Sequence, residues 1–345
     1  MALLRGSRLE RARASRQYRD GRFHNASGLG AVMSGNSAAL MSDFFLGTRK
    51  RAPKGPLPVI NPVATWATPP ISGLRVTWLG HSSLLLESDG QRVLVDPVFG
   101  SHASPVSFAG RGRFHPVPAS LGELPPIDVV LLSHDHYDHL CGWTMRQIAK
   151  RRMPIVTSLG VGARLEKFGV DPALITELDW WEEHRVNGGE LSLTATPAQH
   201  FSGRGLTDRN ATLWSSWVIR TREHKVFYSG DTGLYDGLEE IGRKLGPFDV
   251  ALIEIGASNP AWAHIHLGPA NALRAFRMLG GGTFIPVHWA TFDLALHTWD
   301  EPAETLVRLA SEQGVRVLTP RPGEPVDPDD IEGPTPWWRD VGKRL

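Results

Sequence analysis

Apolar residues in this chain come in short, nearly unbroken runs rich in leucine and β-branched side chains, each closed abruptly by a polar or glycine-bearing turn. Runs of that length, too short for buried helices, predict strands covered on both faces. They fall at 74–81, 83–88, 92–97, 129–132, 154–157, 175–178, 189–196, 213–221, 225–233, 249–255 and 283–287. Asp89-Gly90, between the second and third, is a hairpin signal. Helical patterning marks 144–151, 162–168 and 269–279. Helices follow groups of strands in both halves, which predicts an α/β sandwich of αββα type, two sheets face to face with helices outside.

Before residue 71 this pattern dissolves. Residues 1 to about 50 are weakly patterned, with Gly28, Gly30, Gly35 and small residues through Ala39, and the prolines at 53, 56, 58, 62, 69 and 70 disfavour regular helix or central strand. Segment 1–70 is too poor in large apolar residues to bury a core of its own. It is expected to be an arm and Pro-rich linker packed along a main domain of 71–345. Arginines at 5, 8, 11, 13, 16, 19 and 22 surround no apolar stretch, so the start does not read as a secretory signal. Two roles stand open for them: a solvated tail, or contact with anionic lipid at about 1 kcal/mol per cation. No segment has the roughly 18 uninterrupted apolar residues of a membrane span. The expected location is cytoplasmic, either free or peripheral on a membrane.

Charge and cysteine content narrow the class. With 37 Lys+Arg against 36 Asp+Glu, there is no basic excess of the kind nucleic acids require. The single cysteine, Cys141, excludes an internal disulfide framework. It follows a histidine cluster, but one thiolate beside a full nitrogen and oxygen donor set reads as a small packed residue. A homodimer is compatible with the sequence.

The run 129–132 stops at Ser133-His134-Asp135-His136-Tyr137-Asp138-His139-Leu140, with three histidines and two aspartates in six positions. Imidazole and carboxylate are the donors that suit zinc and similar metals, iron and manganese included. The same event recurs: apolar strands also end at His200, Asp231 and His288. Strand ends share one rim of a sheet, so these residues can converge on one cleft. The expected grouping is His134, His136 and His200 for one ion and Asp138, His139 and His288 for a second. Asp231, with two carboxylate oxygens, is suited to bridge them. Asp96 either holds the free N–H of a ligating imidazole or shapes a turn before Pro97. His81 is expected to be buried and satisfied, and His264 exposed. Most of the 12 tryptophans belong to the core. Some of Trp262, Trp289 and Phe292 are expected to line an acyl or head-group pocket.

The ordered set H-x-H-x-D-H, then His, Asp and His, resembles the metallo-β-lactamase superfamily of αββα hydrolases. Asp231 stands where the zinc β-lactamases have cysteine, which points away from antibiotic cleavage. Further stretches resemble the N-acyl-phosphatidylethanolamine-hydrolysing phospholipase D family: Gly21-Arg22-Phe23-His24-Asn25, Val76-Thr77-Trp78-Leu79-Gly80-His81, Glu123 to Asp128, and Glu177 to Glu183. So do Gly230-Asp231-Thr232-Gly233, Glu240-Ile241-Gly242, Gly246 to Asp249, and His288-Trp289-Ala290-Thr291-Phe292. The resemblance, over roughly 20–305, implies a zinc phosphodiesterase of lipid metabolism that converts N-acyl-phosphatidylethanolamine to phosphatidic acid and an N-acylethanolamine. It implies two Zn2+ on the seven ligands already named, and marks His266 as an active-site histidine near the substrate phosphate. Gly268 replaces the acidic or amide cap usual there, so a weaker cap is expected for the helix after His266.

The parts suggest in-line attack by activated water between two cations about 3.5–4 Å apart. Asp138 or Asp231 would accept its proton, and His266 would bond the phosphate or protonate the leaving oxygen. A lactone or carboxylic-ester hydrolase is the alternative enzyme, because the same chemistry suits a carbonyl carbon. A metal-binding scaffold without turnover would need a missing ligand, and none of the seven is missing.

Overall fold

The structure, a computed structural model, describes residues 3–28, 30, 50–104, 112–329 and 333–343. The chain enters through helix α1 (Gly6–Ala14) and a small hairpin of β1 (Tyr18–Arg19) and β2 (Arg22–Phe23). A single helical turn, α2 (Val63–Trp66), interrupts the proline-rich linker. Then come β3 (Leu74–Gly80), β4 (Ser83–Ser88), β5 (Gln91–Val95), β6 (Val129–Leu132), β7 (Ile155–Ser158) and β8 (Ile175–Leu178). Strands β9 (Glu183–Val186), β10 (Leu191–Thr196), β11 (Ser216–Arg220), β12 (Lys225–Tyr228), β13 (Val250–Glu254) and β14 (Thr283–Val287) follow, and β15 (Pro325–Val326) is last.

Two mixed sheets result. The first runs β15-β3-β4-β5-β6-β7-β8, antiparallel as far as β5 and parallel from β5 to β8. The second runs β14-β13-β12-β11-β10-β9, parallel across β12, β13 and β14 and antiparallel beyond. Successive side chains on a strand point to opposite faces, and both faces here are covered. Leu84, Leu86, Val129 and Leu131 face the second sheet's Leu193, Trp217 and Phe227, while Leu85, Leu94, Val130 and Leu132 face Met145, Ile148 and Leu165. That double burial explains why the strands read as continuous apolar runs. Helices α3 (Gly142–Arg151) and α4 (Gly162–Lys167) cover the first sheet. Helices α5 (Gly237–Leu245), α6 (Gly268–Met278) and α7 (Glu301–Gln313) pack on the second. The αββα expectation therefore holds, with α1, β1, β2, α2, α5, α7, β9 and β15 added.

The arm differs from a solvated tail. Arg8 pairs with Glu166 at 2.7 Å and Glu177 at 2.5 Å, and Arg11 with Glu182 at 2.6 Å, so these cations are already matched by the body's own carboxylates. Leu4, Ala12 and Phe23 are buried against Trp180, Leu213 and Trp214. The arm's weakly patterned stretch over 31–49 lies outside the described residues.

Trp289 is buried, and with Phe292 it lines a small cavity beside His81 and His288. It stacks on Trp78 and packs against Trp337 and Trp338, an aromatic plug formed where the C-terminal segment folds back over α7. Trp262 is half-buried and donates Nε1–H to the Ala257 carbonyl at 2.6 Å. Phe292 is buried with its ring 5.3 Å from that of His81. Cys141 is buried beside Val98 and Phe292, as a small packed residue should be. Among the described residues no helix is long and apolar enough to cross a membrane.

Candidate metal centre and active site

Strands from both sheets stop at the same edge of the sandwich, and the loops that follow carry the donor groups. β6 delivers His134 to His139, β10 leads through Pro197 to His200, β12 leads to Asp231, and β14 to His288. Gly230 lets the loops close on each other. It has φ +53°, and a Cβ there would meet the Ser215 carbonyl at 2.9 Å and Ser133 Cβ at 3.0 Å. His81, Asp96 and His288 also hold positive φ angles of 53°, 35° and 65°, and such conformations in non-glycine residues gather at functional sites. Backbone bonds lock two of them together: His288 N–H donates to the His81 carbonyl at 2.8 Å.

The donor atoms of His134, His136, His200 and Asp231 all lie within 4.8 Å of one another, and so do those of His81, Asp138, His139 and His288. All seven sequence-expected ligands are thus brought together, and His81 joins the second group. It is buried and satisfied as expected, with Nε2 2.9 Å from Asp138 Oδ2. Asp231 lies between the groups: Oδ2 is 3.1 Å from His139 Nε2 and 3.7 Å from both His134 Nε2 and His200 Nε2, and Oδ1 is 3.2 Å from His288 Nε2. The buried atoms His139 Nε2, His288 Nε2 and Asp231 Oδ1 make no hydrogen bond among the described residues. Buried polar atoms require a partner, and a divalent cation fits this set of converging nitrogens and oxygens.

Outer groups fix the donors. Asp96 lies against the histidine loop: Oδ2 accepts from His139 Nδ1 at 2.7 Å and from Tyr228 OH at 2.5 Å, and Oδ1 accepts from Ser133 N–H at 2.8 Å. Asp135, within the histidine loop, is buried and paired with Arg164 Nε at 3.0 Å. Arg204 lies over the Tyr137 ring at 3.9 Å and donates to the carbonyls of Asp135 and Leu140 at 2.6 and 2.8 Å.

Glu254 is the principal residue that the sequence reading passed over. It ends β13, is fully buried, and its Oε2 is 2.7 Å from His266 Nδ1. A glutamate closing an otherwise apolar strand was the available signal. Oε1 also accepts from Thr232 N–H at 2.7 Å and Leu267 N–H at 3.3 Å. The helix after His266 indeed has no side-chain cap, but Glu254 supplies both the missing acceptor and the aim of His266. Gly268, at φ +62°, brings the chain so close to Ser258 that a Cβ would meet its Oγ at 2.8 Å.

The electrostatics divide the imidazoles. Burial, reinforced by neighbouring imidazoles, pushes His134 well below its ordinary value and takes His81 down to about 3. Burial also lowers His136 and His200, where nearby Asp138 and Asp231 only partly compensate. For His288 burial is outweighed by Asp231 and Asp138, which hold it at about 10, and the same carboxylates keep His139 well above its usual value. Burial disfavours ionised Asp138 and Asp231, but His139 and His288 more than offset it and keep both carboxyls well below the usual range. Burial raises Glu254, and opposes a charge on His266 that the Glu254 carboxylate nonetheless favours, leaving His266 raised.

A family model described as beta-lactamase superfamily domain matches residues 91–289. The chain is 42% identical over 331 residues to an uncharacterized protein of Mycobacterium tuberculosis, covering 94% of this chain and 88% of that one. It is 37% identical over 250 residues to N-acyl-phosphatidylethanolamine-hydrolyzing phospholipase D 1 of Caenorhabditis elegans, covering 69% of this chain and 70% of the nematode protein. Among solved structures, isothiocyanate hydrolase from Delia radicum gut bacteria shares the fold, with a TM-score of 0.60 at 22% identity over 73% of this chain and 98% of that one. The metallo-β-lactamase fold, the matched superfamily domain and the nematode relative agree: the chain belongs to the beta-lactamase superfamily, in the family of the N-acyl-phosphatidylethanolamine-hydrolysing phospholipases D.

Proposed function

We propose that this chain is a metal-dependent phosphodiesterase that hydrolyses a phospholipid on its head-group side, converting N-acyl-phosphatidylethanolamine to phosphatidic acid and an N-acylethanolamine. One observation carries the reading. A single buried carboxylate, Asp231, lies 3.1 to 3.7 Å from four imidazoles on three separate loops, with His266 anchored beside them. Two divalent cations on the seven candidate ligands, zinc suiting the donors best, would supply Lewis acidity to the phosphoryl oxygens and make water more acidic.

The chain's own groups do the rest. Asp138, partly open to the cleft and held by His81, takes the proton of the attacking water, with Asp231 as the second acceptor. His266 is tied through Nδ1 to Glu254, so its Nε2 is left to bond the phosphate or to give a proton to the leaving oxygen as the P–O bond breaks. Beside it lies a cavity of about 280 Å³ lined in part by Ser258, Asn259, Asn271 and His297, whose polar groups suit an amide-bearing leaving group.

The rim supports a lipid substrate. The loop carrying Arg204 presents a fully exposed Leu206, and α3 presents a half-exposed Trp143. Phe168, with Arg146 and Arg204 over its ring at 5.2 and 5.8 Å, lies nearby. Apolar side chains among cations suit an anionic lipid interface.

The test is a product analysis. Zinc-loaded protein is given N-acyl-phosphatidylethanolamine in mixed micelles, an aryl phosphodiester and an aryl ester. Phosphatidic acid and N-acylethanolamine are expected by mass spectrometry. Turnover of the ester alone would establish the alternative ester or lactone hydrolase instead.

A further inference from the structure

The stretch Gly21-Arg22-Phe23-His24-Asn25 is remote in sequence from every candidate ligand, yet its last residue touches one. Asn25 is 5% exposed. Its Nδ2 donates to the His200 carbonyl at 2.9 Å, and its Oδ1 accepts from the His200 N–H at 3.0 Å. The same Oδ1 accepts from Trp214 Nε1 at 3.1 Å. His200 lies four residues beyond the end of β10, outside any strand, so no ladder supplies partners for its peptide groups. The Asn25 amide does so, pairing with His200 as a neighbouring strand would. Only a primary amide offers a donor and an acceptor side by side at this reach.

The ring of His200 is held separately, its Nδ1 2.9 Å from the Ile265 carbonyl. That bond turns Nε2 toward His136 Nδ1 and Asp231 Oδ2, 3.3 and 3.7 Å away. Two restraints, one on the peptide and one on the ring, therefore set where the imidazole points. The peptide restraint comes from the arm, which is fastened elsewhere through Arg8, Arg11 and the buried Phe23. Phe23 is itself clamped, its N–H donating to the Asn210 carbonyl at 2.9 Å and its carbonyl accepting from Asn210 Nδ2 at 3.1 Å.

We propose that Asn25 is a positioning residue of the metal centre: the arm holds His200 by its backbone and so sets the affinity of the His134, His136, His200 and Asp231 group for its cation. This rests on the reading of His200 as a ligand. Groups that orient a metal ligand typically contribute about 10–100-fold in metal affinity. Asn25→Asp keeps the shape but sets an acceptor against the His200 carbonyl. Asn25→Ser is too short to reach both groups.

Zinc affinity is read by competition with a chromophoric chelator, per folded molecule, in the full chain. Both variants are expected to bind zinc about 10–100-fold more weakly than the parent. Arg308→Ala, which breaks the exposed Arg308–Glu312 pair on α7 and touches neither the arm nor His200, is expected to leave zinc affinity unchanged. His200→Ala separates the two layers. If it leaves zinc affinity intact, the ligand assignment fails. If it weakens zinc binding while a folded Asn25 variant binds like the parent, only the clamp fails. Should neither Asn25 variant fold, hydrogen exchange of the His200 amide in the parent chain decides. Protection equal to that within β10 supports the clamp, and rapid exchange overturns it.

Discussion

His266 and Glu254 form a pair in which the role proposed for a half-buried imidazole depends on a fully buried carboxylate. Glu254 is fully buried, and its three acceptor contacts, to His266, Thr232 and Leu267, occupy both carboxylate oxygens. Glu254 thereby fixes the direction of His266, which in the proposed reaction is the member of the pair that meets substrate. His266→Ala should lower kcat on the phosphodiester by about 10²–10⁴-fold, the usual range for a positioned acid or base. Metal content by mass spectrometry should stay that of the parent, whereas loss of metal would make His266 a structural support. Glu254→Gln should move in the same direction by less, because the amide oxygen still accepts one bond.

At the scale of elements, the strands act as rails whose ends set the chemistry. β6, β10, β12, β13 and β14 are buried along nearly their whole length and finish at one edge, so small errors in loop placement are resisted by rigid cores. Helix α1 belongs to this scaffold. Its spaced arginines meet carboxylates at β8 and α4, and the Glu177 side chain is only 8% exposed where Arg8 pairs with it. Arg8→Ala would leave that carboxylate poorly compensated. Breaking fully buried pairs costs about 3–5 kcal/mol. This pair is partly solvated, so a loss of about 2 kcal/mol in urea unfolding is expected, with a lower midpoint and unchanged slope. No loss would return the arm to the status of a surface appendage.

On the scale of the whole molecule, the candidate centre ties both sheets together, since His81, Asp96 and the 134–139 loop come from the first and His200, Asp231, Glu254 and His288 from the second. A ligand that binds only the folded state stabilises it by about 4 kcal/mol at a thousandfold excess over Kd. Chelation should therefore lower the thermal midpoint of the zinc-loaded protein. The effect depends on pH with a definite sign. His288 without a cation is held at about 10, above the roughly 6.5 of an unfolded histidine. Its proton-linked contribution to the metal-free fold is thus full below about 6.5 and is lost as pH rises through about 10. Zinc must displace that proton, so the gap between zinc-loaded and chelated midpoints should widen as pH rises from 6 to 8. A gap that narrows over that interval would mean the cation does not use His288.

Strand positions, the αββα class and the seven candidate donors that the structure brings together were legible in the sequence because each rests on local pattern: doubly buried strands make continuous apolar runs, and a buried strand that stops at imidazole or carboxylate announces a rim. Helices α5 and α7 went unread because apolar positions in Gly237–Leu245 and Glu301–Gln313 are diluted among charged residues. What no linear pattern holds is contact between distant segments. The Glu254–His266 bond, the place of His81 against Asp138, the Asn25 grip on His200 and the burial of Trp289 under Trp337 and Trp338 each join residues on separate elements. Side-chain periodicity specifies which face a residue takes within its own element. Only the packing of one sheet against the other decides which residue it meets there.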